Sequence, residues 1–198
     1  MEELKLRCDL IESITSGEIT VADREDFSGE LACLNLRKVL ELLAFASLTA
    51  NREKYAEAHA KFAQHWKAKL LLTNLAKLHP DFFPKPIAFG EPHSDGTKNL
   101  VDVKEPCLTR DDFEFLYDQA SQVLHTQNPH GDAVRVVDFR LSLSEWVQRI
   151  KTLLSVHYMR LVDSESLWVV MMRHPEDGRV HVYQAEPRAS EAQSNGAT

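Results

Sequence analysis

Apolar positions recur at spacings of three and four along most of the chain and shift to an extended pattern near its end. Residues 2–14 carry Leu4, Leu10, Ile11 and Ile14, which predicts a helix ending at Ser16-Gly17. A polar, acidic stretch over 18–28 reads as a loop. The run GELACLNLRKVLELLAFASL, 29–48, is apolar nearly all round, the signature of a central, buried helix. A further helix is expected over about 52–78, where Tyr55, His59, Phe62, Trp66, Lys69 and Leu70 share the helical spacing. Its end is set at His79-Pro80, because a residue before proline is pushed out of helical space.

The composition changes between 80 and 106. This segment holds five prolines and the turn signal Ser94-Asp95-Gly96, and it reads as a long connecting loop. Thr109, with Asp112 three residues on, marks the start of an amphipathic helix through Phe113, Leu116, Tyr117, Ala120 and Leu124 that stops near Asn128-Pro129. Residues 135–139 suggest a short strand. Ser142 and Glu145 form a capping box, followed by an apolar stripe of Trp146, Val147, Ile150, Leu153, Leu154 and His157. The runs LWVVMMRH and RVHVYQA then flank Asp177-Gly178, which predicts a β-hairpin over about 167–185. The expected fold is therefore mainly α, with one domain over 1–185, that C-terminal hairpin, and a disordered polar tail over 186–198.

Composition narrows the function classes. With 198 residues and 43% hydrophobic content the chain can bury a sizeable core. The run 31–48 is interrupted by Arg37, Lys38 and Glu41, so no membrane span is expected, and the N-terminus lacks a basic-then-apolar leader. Cys8, Cys33 and Cys107 have no CxxC spacing and fit reduced thiols, in keeping with a cytoplasmic protein. A net charge of −7 gives no support to broad RNA binding. No GxSxG, phosphate loop, HExxH or CxxC is present. His174 and His181 face each other across the expected hairpin, but without an acidic or thiol partner they make no metal site, and neither metal nor cofactor is expected.

Two places carry candidate chemistry. Glu30, Arg37 and Glu41 fall on one narrow stripe of the 29–48 helix, as a solvated ridge, a structural ion network or a polar site between helices. Tyr117, Ser121 and His125 lie on one face of the later helix, with His125 in its last turn, where the helix dipole favours an imidazolium.

The segment LNLRKVLELLAFASL, followed by a helix ending LYDQASQVLH, resembles the HEPN superfamily over about 29–131. The resemblance implies an up-down helical bundle that often dimerises, with some relatives that cleave RNA in toxin and defence systems and others that only bind partners. Its catalytic members carry Arg, four to six residues, then His. His125 has no arginine at that distance, and the pair with the right spacing, Arg52 and His59, lies earlier than the family pattern places it. The resulting expectation is a non-catalytic, HEPN-like binding module for a protein or small ligand, acting as a homodimer, with Glu30, Arg37, Glu41, Ser121 and His125 as candidate ligand contacts. The alternative is a metal-independent endoribonuclease in which His125 or His59 moves the proton and Arg37 or Arg52 steadies the phosphorane, with Glu41 and Tyr117 as further candidates.

Overall fold

A computed structural model describes residues 1–58, 68–78, 81–126, 136–160 and 166–185. Six helices and five strands follow in the order α1 (Glu2–Thr15), α2 (Glu25–Ala50), α3 (Arg52–Ala58), α4 (Ala68–Leu78), β1 (Lys85–Pro92), β2 (Lys98–Asp102), α5 (Arg110–Val123), α6 (Leu143–Leu154), β3 (Val156–Arg160), β4 (Leu167–Met171) and β5 (His181–Ala185). The apolar run of α2 does what its all-round hydrophobicity requires. Leu36, Val39, Leu40, Leu43 and Ala44 are enclosed, and α1, α4 and α5 pack around them. Both capping boxes form. Thr109 Oγ1 accepts the Asp112 N–H at 3.1 Å and Ser142 Oγ accepts the Glu145 N–H at 3.2 Å, with each carboxylate reaching back to its cap residue's N–H.

The fold class departs from expectation. In place of a helical bundle with one hairpin, the strands form a five-stranded antiparallel sheet, ordered β2-β1-β3-β4-β5, against which α6 packs. Within the expected 80–106 loop, β1 and β2 form a hairpin. His93 N–H donates to Thr97 O at 2.7 Å, and Gly96 takes the positive φ of +80° that the turn requires. β1 changes partner along its length: Lys85 and Pro86 pair with β3, while Ile87 to Pro92 pair with β2 across an irregular register. That hand-over accommodates prolines that would interrupt a regular central strand.

Two boundaries also move, and one expected strand does not form among the described residues. α2 starts at Glu25, inside the expected loop, where Glu25 and Asp26 complement the positive end of the helix dipole. α6 stops at Leu154, so His157 belongs to β3 and not to the helical stripe. Its Nδ1 lies 3.0 Å from Leu154 O, and the ring caps the helix it was expected to continue. Residues 136–139 form no strand. Within the expected 52–78 helix the described parts are α3 and α4; 59–67, like the 186–198 tail, lies outside the described residues.

Candidate functional site

The predicted stripe is partly assembled. Arg37 Nε donates to Glu41 Oε1 at 3.1 Å, one turn along α2, and the Tyr117 hydroxyl of α5 donates to the same oxygen at 3.3 Å. The Arg37 guanidinium lies 5.2 Å from the centroid of the Tyr117 ring, which in turn stacks on Phe113. Burial pushes the Tyr117 phenol up against the opposing pull of Arg37, so the group is a neutral donor and not a base. The side chains of Arg37 and Glu41 retain 27% and 22% exposure, so the pair is half-buried and still reached by water.

Of the remaining candidates, Glu30 and Ser121 do not join it. Glu30 is exposed near the start of α2, and Ser121 Oγ donates to Tyr117 O within its own helix at 2.6 Å. α5 ends at Val123, so His125 sits past the helix end, exposed, rather than in the last turn. Arg52 is exposed at the start of α3, and His59 lies outside the described residues. The stripe thus joins α2 to α5 through the shared Glu41 carboxylate.

A second place has the shape of a site. Between α1, α6, β1 and the start of β3 runs an open cleft of about 680 Å³. Leu4, Cys8, Ile87, Phe89, Ile150 and Met172 give it an apolar floor and walls. The helical period brings Leu4 and Cys8 to one face of α1, and in β1 Ile87 is buried while Ala88 and Phe89 line the cleft from exposed positions. Three cations line the cleft, Lys5, Lys151 and Arg173, against one carboxylate, Glu105. The acids that hold these cations stand behind the lining. Lys151 Nζ donates to Asp9 at 3.1 Å and Glu12 at 2.5 Å, Arg173 Nη2 to Asp9 at 2.7 Å, and Lys5 pairs with Glu2 at 2.6 Å. The salt bridges fix the cations at the edge of an apolar surface, where an incoming acid group would share them with Glu2, Asp9 and Glu12.

Cys8 supplies no nucleophile there. Burial pushes its thiol up to about 12, with the nearby Lys151 charge opposing, so the thiolate that would attack a substrate is not formed at neutral pH. None of the cleft residues was a candidate from sequence. Its lining comes from separate segments, and no local spacing reports that Lys151 meets Asp9, 142 positions away.

No described helix is long and apolar enough to cross a membrane. Comparison with known proteins returned no family model, no curated protein and no solved structure that matches the chain.

Proposed function

We propose that the protein is a non-catalytic binding module whose ligand is a small amphipathic anion held in the cleft between α1, α6 and β1. The observation that carries this reading is the combination of volume and lining: about 680 Å³, within the range of small-molecule sites, apolar at its base and cationic at its edge. The ligand's hydrocarbon part would lie over Phe89, Ala88 and Val103, with Leu4 and Ile87 beneath, and its acid group would sit by Lys151 and Arg173. This keeps the small-ligand reading of the sequence and moves it away from the Arg37–Glu41 stripe. The free thiols Cys8, Cys33 and Cys107 support the expected cytoplasmic setting.

The test uses anilinonaphthalene sulfonate as a fluorescent amphipathic anion and decanoate as its competitor. One saturable dye site per chain is expected, displaced by decanoate and blocked by Ala88→Trp, which fills the cleft from an exposed strand position. Arg173→Gln should weaken the acid more than decanol. Dye binding that does not saturate, or that Ala88→Trp leaves unchanged, would overturn the reading.

A further inference from the structure

The turn that joins β4 to β5 gathers three side chains that ligate metals. His174, Asp177 and His181 bring one ligand atom each to within 4.8 Å of one another. We propose that they form a binding site for a single borderline divalent cation, Zn(II) by preference. Read from sequence alone, the two histidines lacked an acidic partner. The fold supplies one in Asp177, a residue whose only evident role was to shape the turn.

The geometry is close to what the ion needs. A tetrahedral zinc with bonds of about 2.0–2.1 Å sets its ligand atoms roughly 3.4 Å apart. Asp177 Oδ2 already lies 3.1 Å from His181 Nε2. The His174 ring is stacked on His181 at 4.1 Å with an interplanar angle of 19°, and a rotation out of the stack carries a nitrogen to the third corner. Three protein ligands leave the fourth position to water. Two imidazoles and one carboxylate suit Zn(II) and its neighbours, whereas Mg(II) and Ca(II) prefer an all-oxygen shell.

The surroundings hold the ligands in place. His174 N–H donates to Arg179 O at 2.8 Å and Gly178 N–H to His174 O at 2.7 Å, which closes the turn. Asp177 Oδ1 accepts the Arg179 N–H at 2.9 Å, and the Tyr183 hydroxyl lies 3.4 Å from His181 Nδ1, the nitrogen turned away from Asp177. A second partner of this kind fixes the ring that ligates a metal. The turn is also fastened to α1, where Lys5 Nζ donates to Gly178 O at 2.7 Å and Glu2 Oε1 accepts the Val180 N–H at 2.8 Å. The ligands thus start from a fixed frame rather than a free loop.

The experiment is a calorimetric titration of the full chain, carrying no histidine tag, with Zn(II) and separately with Mg(II). One Zn(II) per chain is expected and no Mg(II). Loss of an outer partner of a metal site costs about 10–100-fold, so His174→Ala, His181→Ala and Asp177→Asn should each weaken Zn(II) by at least about tenfold. All three positions are solvent-facing or half-buried, and circular dichroism is the check that each variant is folded. Less than one equivalent of Zn(II), Mg(II) bound as tightly as Zn(II), or Zn(II) affinity kept within about twofold in His181→Ala would each overturn the proposal.

Discussion

The two hairpins at the outer parts of the sheet share their turn chemistry and little else. Each turns at Asp-Gly, with Gly96 at φ +80° and Gly178 at φ +67°, and in each the aspartate accepts the N–H two residues on. β4 then buries Val169 and Val170, the latter within the core, whereas β2 is exposed along all five residues. The turn alone does not make a hairpin legible. A strand that buries one face must alternate or run apolar, while a strand standing in water is free of that constraint and leaves no pattern to read. The 80–106 sequence therefore reads as a loop despite Ser94-Asp95-Gly96.

The difference in burial can be broken most forcefully from within the sheet. Val170→Asp places an unpartnered charge in the core and is expected to cost on the order of 4 kcal/mol or more in urea unfolding. Val101→Asp in β2, at 44% exposure, should stay within about 0.5 kcal/mol. Equal losses would show that the β1–β2 hairpin is as much a part of the core as β4.

Acid sharpens the same contrast, because the buried part of the sheet contains a titratable group. His157 is enclosed in β3, and among the described residues its Nε2 has no hydrogen-bond partner. Burial pulls the imidazole down from 6.5 to about 4, with the Leu154 carbonyl opposing. The folded protein therefore holds the neutral ring. The stability this gives is fully present above pH 6.5 and is lost as pH falls toward 4, since the unfolded chain takes up the proton first. The loss over that window should be about 3 kcal/mol. Urea midpoints at pH 7 and pH 4.5 should fall farther apart in the parent than in His157→Leu, and identical pH slopes would contradict the assignment.

The smallest effect separates the two turns. An alanine forced to positive φ costs about 1 kcal/mol. Gly178→Ala should lower global stability by that amount. Gly96→Ala should lower it by less than about 0.5 kcal/mol, because an exposed hairpin opens locally before the core does. Hydrogen exchange checks this: Gly96→Ala should speed exchange in β1–β2 and leave α2 unchanged.

What was legible in the sequence follows the range of the interaction. The α2 core, both capping boxes and the Arg37–Glu41 pair are encoded within four residues, and all are present. The sheet order and the cleft depend on partners far apart. Nothing near Asp9 announces Lys151 and Arg173, and nothing near Pro86 announces His157. Where a local signal was read too far, a tertiary contact intervened: the stripe through His157 was cut when its ring turned back onto Leu154 O. Asp177 shows the opposite error, a residue so well explained by its turn that its place beside His181 went unread.

The fastening of α1 to the far end of the chain also has a consequence in time. Glu2, Lys5 and Asp9 find Val180, Gly178 and Arg173 at separations of 164 to 178 residues. At synthesis rates of about 5–20 residues per second, these partners emerge roughly 8–36 s after α1 does. α2 can pack on α1 almost at once, since it follows within the next few tens of residues. The face of α1 that carries Leu4 and Cys8 toward the cleft must wait for α6 and the last strands. During biosynthesis the nascent chain therefore passes through a stage in which α1 and α2 are paired while one wall of the future cleft is bare, the apolar surface that a ribosome-bound chaperone would shield.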